Sequence, residues 1–157
     1  MVIKIDNEME KQDTEIIARK AFADIAALFP QLKIVVDECV AVELSFTIPE
    51  QSGLKQKIWL GLQNHDELSF GVGHFQVEWF PCTDTAKVSS YIGAVTGFVS
   101  GKYRILEQYR GTKCVKAELQ EPTKDGWHTI ATYSLAFHLV YWLPFPRKTF
   151  REARNNQ

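Results

Sequence analysis

Hydrophobic positions fall into clear periods along most of the chain. Ile17, Ala21, Ile25 and Leu28 recur at spacings of four and three, which predicts a helix capped at Asp13 or Thr14, running to Phe29 and stopped by Pro30. Val40, Val42, Leu44, Phe46 and Ile48 then alternate with smaller or polar residues, the period of a strand with one buried face. After a turn at Pro49 to Gly53, Ile58, Leu60 and Leu62 repeat the alternation. Asn64-His65-Asp66 reverses the chain into Leu68, Phe70 and Val72, and the whole reads as an antiparallel meander. Gly71 and Gly73 bracket a tight place before a fourth strand, with Phe75, Val77 and Trp79 on one side and His74, Gln76 and Glu78 on the other.

Pro81 ends that strand, and Thr83 or Asp84 caps a second helix with an apolar stripe of Val88, Ile92, Val95 and Val99. Gly101 stands where a left-handed residue closes a helix. Gly93 and Gly97 each weaken the helix by about 1 kcal/mol relative to alanine, which predicts close packing on the sheet. Strands follow at 103–109, 113–119 and 127–133, joined by turns at 110–112 and 122–126. The segment 134–146, SLAFHLVYWLPFP, is apolar almost throughout, and its Phe137–Phe145 stretch reads as a central strand or as a patch for self-association. From about residue 147 the basic tail RKTFREARNNQ reads as a frayed end or a short exposed helix. The order predicts a single α+β domain over residues 1–157, with an antiparallel sheet of about six to seven strands and two helices packed on one face.

With 157 residues, 45% hydrophobic and 24% charged, the chain can bury roughly 70% of its unfolded surface and needs no disulfide or metal staple. Its three cysteines have no C-x-x-C spacing, which predicts free thiols. The charged start lacks the apolar core of a signal peptide, no apolar run has the length of a membrane span, and a cytoplasmic protein is expected. Residues 1–80 carry 7 basic and 13 acidic side chains, net -6, whereas residues 81–157 carry 11 and 6, net +5. That asymmetry is unlike a uniformly basic nucleic-acid binder, and it offers an acidic surface that could steer a basic partner.

Few residues announce chemistry. Gly71-Val72-Gly73 lacks the third glycine and the following helix of a phosphate loop, so a hairpin bend is the better reading. His74 and Glu78 share a strand face and could act as an acid/base pair or as two of three metal ligands. His65, His128 and His138 lie in other elements, however, and no motif supplies the third ligand. No metal or cofactor is therefore expected. Neither a G-x-S-x-G elbow nor an H-E-x-x-H helix is present. Cys82 precedes a helix whose dipole could lower its thiol pKa, although a buried inert cysteine is the plainer expectation.

The stretch DELSFGVGHFQVEWF (66–80), the helix end Val99-Ser100-Gly101-Lys102 and the hairpin around Arg110-Gly111 resemble small bacterial immunity-type proteins of polymorphic toxin systems, over about residues 55–120. The chain has Gln76 where a second histidine often stands and Glu78 where an aspartate is common. The resemblance implies a cytoplasmic protein that neutralises a toxin and has no catalysis of its own. On that reading Glu43, Asp66, Glu67 and Glu78 are acidic contacts for a basic partner and Trp59 or Trp79 is an aromatic anchor. The rival is a small-molecule-binding or enzymatic α+β domain with a pocket lined by Trp79, Trp127 and Tyr133 around His74 and Glu78. Self-association through Phe137–Phe145 is the third.

Overall fold

A computed structural model describes residues 2–38, 40–134 and 148–155. Among the described residues eleven elements follow one another: α1 (Val2–Leu28), β1 (Val35–Val36), β2 (Leu44–Ile48), β3 (Ile58–Gln63), β4 (Glu67–Val72), β5 (Phe75–Trp79), α2 (Thr85–Val99), β6 (Arg104–Arg110), β7 (Lys113–Thr123), β8 (Gly126–Ser134) and β9 (Lys148–Ala153). The α+β class stands, but the strands form two antiparallel sheets instead of one. β1 to β5 make a meander in chain order, and the second sheet has the order β8-β7-β6-β9.

The meander's inner face follows from the alternation. Leu44, Phe46 and Ile48 lie opposite Leu62, Leu60 and Ile58, and Leu60 and Leu62 lie opposite Phe70 and Leu68, so these side chains share one surface. α1 and α2 cover it. Phe22 of α1 meets the Phe46 ring at 4.8 Å, and Tyr91 of α2 meets Trp79 at 5.6 Å. Tyr91 is fully buried, and its hydroxyl donates to the Ser69 carbonyl at 3.1 Å. The inner face of the second sheet, Ile105, Tyr109, Cys114, Ala117 and Leu119, belongs to the same buried cluster as Phe70, Phe75 and Phe98. One core therefore joins both sheets.

Several boundaries differ from the periodic reading. α1 begins at Val2 because nothing in the charged, helix-favouring run before Asp13 breaks it. Its buried face is Thr14, Ala18, Ala21, Phe22 and Ile25, while Leu28, expected inside, is 61% exposed. The strand expected from Val40 starts at Leu44, where pairing with β3 begins, and Val40 is 45% exposed. The two-residue β1 is too short to show a period. α2 is capped by Asp84, whose carboxylate accepts the Ala86 N–H at 2.8 Å, and Gly101 has the expected left-handed φ of 74°. Only one of the two helix glycines packs closely: Gly97 is buried under the ring of Tyr103, the residue that leads into β6, whereas Gly93 faces open space. β7 runs on to Thr123, with Pro122 beyond the last β6 pairing, where a residue without an N–H is tolerated.

The tail is the largest correction. Residues 148–153 are neither frayed nor helical but form β9, antiparallel to β6 with Leu106 opposite Glu152. Arg104 holds Glu152 at 2.9 Å, and Arg154 donates to the Gly101 carbonyl at 2.7 Å. Asn155 is fully buried, accepting the Lys55 N–H at 3.1 Å and donating to the Phe98 carbonyl. The stretch Phe137–Phe145 lies outside the described residues. Among those described, no helix is long and apolar enough to cross a membrane.

Candidate functional site

The outer face of the meander carries most of the residues expected to bind. Trp59 lies opposite Thr47 and Gly71, and Gly61 lies opposite Ser45 and Ser69. Its indole lies flat across the sheet: a Cβ on Gly61 would stand 2.6 Å from the ring and one on Gly71 3.3 Å from it. The two glycines thus make the bed in which the ring rests. The indole N–H donates to Ser45 Oγ at 2.8 Å, and Ser45 and Thr47 both donate to the Asp37 carboxylate, at 2.8 and 2.9 Å. This chain of bonds fixes the ring's orientation. Beside it opens a shallow groove of about 440 Å³, lined by Glu50, Lys57, Trp59, Gly71 and Gln76 among others.

Acidic side chains gather on the same face at the β3–β4 end. Gln63 pairs with Glu67, and Glu78 lies opposite Ser69. Gln63 donates to Glu78 at 3.5 Å, Asn64 donates to Glu67 at 2.9 Å, and Glu43 lies 3.2 Å from His65 Nδ1. Asp66 occupies the turn itself, where its carbonyl accepts the Cys82 N–H at 2.9 Å. Burial first, and then the neighbouring Glu67 charge, push the Glu78 carboxyl above its ordinary pKa. A raised acid binds its proton more tightly when folded, so its ionisation lowers stability as pH rises from the unfolded value through the folded one. Glu78→Gln should accordingly raise stability near pH 7, with no gain near pH 4. Urea titrations at the two pH values check this.

Other expected partners are separated. Trp79 points away from this face, towards α2, with its N–H on Ser90 Oγ at 3.2 Å. Trp127 lies on the far side of the second sheet, 4.1 Å beneath the Arg104 guanidinium. The expected pocket of Trp79, Trp127 and Tyr133 around His74 and Glu78 is therefore not assembled. His74 does not share the face of Gln76 and Glu78, because it sits in the two-residue turn between Val72 and Phe75 with Gly73 at φ 56°. That left-handed residue swings the imidazole towards the second sheet. Cys82 is buried, and burial followed by the Asp66 charge raises its thiol pKa, against the lowering that the helix dipole suggested.

His74 meets a cluster that the periodic pattern does not reveal. Its Nδ1 lies 3.2 Å from Glu107 Oε1 and 3.2 Å from the Tyr109 hydroxyl, and its backbone N–H donates to Glu107 Oε1 at 3.2 Å. Tyr109 donates to Glu107 Oε2 at 2.7 Å. Burial alone would raise the Glu107 carboxyl, but the bonds from Tyr109 and His74 bring it below its ordinary pKa. Tyr109 is pushed up to about 12 by burial and by that carboxylate. The Cys114 thiol, raised by burial and by Glu107, completes the group. Glu107 was legible in principle, since it falls between Ile105 and Tyr109 on the apolar side of its strand.

Comparison of the chain with family models, with curated proteins and with solved structures finds no match.

Proposed function

We propose that this chain is a small non-catalytic protein-binding module, of the immunity type that residues 66–80 resemble, and that it receives a basic protein on the outer face of the meander. The observation that carries the reading is Trp59, an indole held flat by Ser45 over two glycines on the face that also presents Glu43, Glu67 and Glu78. A rigid aromatic beside acidic groups is the composition of a binding hot spot with electrostatic steering. Such a protein works in the cytoplasm, and the free thiols of Cys82 and Cys114 agree with that placement.

Native mass spectrometry of the untagged protein from its own host, set against the denatured sample, should release a second, basic polypeptide in fixed stoichiometry. With that partner in hand, the double substitution Glu67→Lys and Glu78→Lys should slow association about tenfold at low salt and flatten its salt dependence. Trp59→Ala should instead speed dissociation, at a cost of about 2 kcal/mol. Release of a small molecule alone, or a partner indifferent to both changes, would overturn the reading.

A further inference from the structure

The His74 cluster uses none of the side chains assigned to the proposed binding face and has a composition of its own. A His74 ring nitrogen, a Glu107 carboxylate oxygen and Cys114 Sγ all lie within 4.8 Å of one another. We propose that these three side chains form a binding site for a borderline divalent transition-metal ion, with Zn²⁺ as the type, and leave a fourth position open to water.

Three independent features of the fold converge on this point. Glu107 is a carboxylate with 9% exposure on the core-facing side of β6, between two apolar neighbours, where Tyr109 and the His74 N–H hold its two oxygens in place. Cys114 reaches the same spot only through an irregularity. Gln108 pairs with Lys116 but Tyr109 pairs with Cys114, so Val115 is an extra residue in β7. Without that bulge, Cys114 would share the opposite face with Lys116 and Glu118. Bulges commonly re-aim a side chain next to a functional site. Gly73 supplies the third feature: a Cβ there would stand 3.1 Å from Glu107 Oε1, so the left-handed glycine lets the hairpin tip bring His74 over the carboxylate.

The donor set selects the metal. Imidazole, carboxylate and thiolate together suit Zn²⁺ and its neighbours and do not suit Mg²⁺ or Ca²⁺, which take oxygen alone. Ligands around a tetrahedral zinc stand about 3.5 Å apart; His74 Nδ1 and Glu107 Oε1, at 3.2 Å, already meet that spacing, and the closure the group needs is at Cys114. Binding replaces the Cys114 S–H proton, which leaves to solvent, and the carboxylate and thiolate then balance the dication. Tyr109 stays on Glu107 Oε2 and orients the carboxylate. His74 is 59% exposed, so the fourth position faces solvent, as in a site that accepts a further ligand.

The test uses the full-length protein stripped of metal and titrated with Zn²⁺ and with Co²⁺. We expect one ion per chain with a Kd below about 1 μM, and in the cobalt form a thiolate-to-metal charge-transfer band with the intense visible bands of a tetrahedral ion. His74→Ala, an exposed change that leaves the fold intact, should weaken binding at least tenfold, and Cys114→Ser should abolish the charge-transfer band. Cys82→Ser and His128→Ala should change neither. Absence of stoichiometric binding, a cobalt spectrum without the thiolate band, or affinity that survives His74→Ala or Cys114→Ser overturns the proposal. No partner protein enters the experiment, so its outcome is separate from that of the binding-face test.

Discussion

Gly97→Ala will destabilise the protein while Gly93→Ala, one helical turn earlier, will stabilise it. Both substitutions remove a glycine from the interior of α2, and helix propensity alone favours each by about 1 kcal/mol. Their surroundings decide the sign. A Cβ on Gly93 meets nothing within 4 Å, so that variant should keep its gain. A Cβ on Gly97 would overlap the Tyr103 ring. The ring cannot swing aside freely, because the Tyr103 N–H donates to the Gly97 carbonyl at 2.8 Å and its hydroxyl donates to Glu121 at 3.2 Å. Moving it loosens both the end of α2 and the entry to β6. Overpacking of this kind costs typically 1–3 kcal/mol, and with the ring held at both ends it should exceed the propensity gain by about 1 kcal/mol. The two urea midpoints should move in opposite directions. A Gly97→Ala midpoint at or above the wild-type value would show that the Tyr103 ring is not held there.

The same helix illustrates what local sequence encodes. Its cap, its length and its closing Gly101 follow from local rules, and the structure keeps them. The meander was legible too, since the large apolar residues of its strands alternate along the sequence and the register brings them to one face. What failed had no local signal. β9 is exposed along nearly all its length, so Lys148–Ala153 shows no alternation, and only its pairing with β6 makes it a strand. The division into two sheets is likewise a matter of partners, which periodicity does not encode.

The candidate sites divide in the same way. Trp59, Glu67 and Glu78 alternate in register on paired strands, and their common face could be argued from spacing once the meander was drawn. Trp79 belongs to the other phase of its strand, so its packing against α2 was legible as well. The His74 group was not. A left-handed glycine turns His74 off its apparent face and a bulge turns Cys114 onto a new one, and each device breaks the period on which such inference depends.

Phe70→Ala should cost about 3–5 kcal/mol of stability, more than the overpacking at Gly97. Phe70 has no exposed surface, and its ring lies 5.6 Å from Phe75 and 5.9 Å from Phe98, so it joins β4, β5 and α2 at one point. Truncation removes the apolar area, leaves a cavity in a rigid site and forfeits two aromatic pairs. A domain of this size has only about 5–15 kcal/mol to lose, so the variant should unfold at a much lower urea concentration. The consequence extends beyond the meander. Phe70 belongs to the same buried cluster as Ile105, Ala117 and Leu119 of the second sheet, although they pair with none of its strands. If that shared core makes one cooperative unit, hydrogen exchange should show the amides of β3 and of β7 losing protection together and by the same free energy. Loss confined to β3, with β7 still protected, would mean that the two sheets unfold separately, and that the Glu107 and His74 sides of their seam are held together by little more than the contacts at the seam itself.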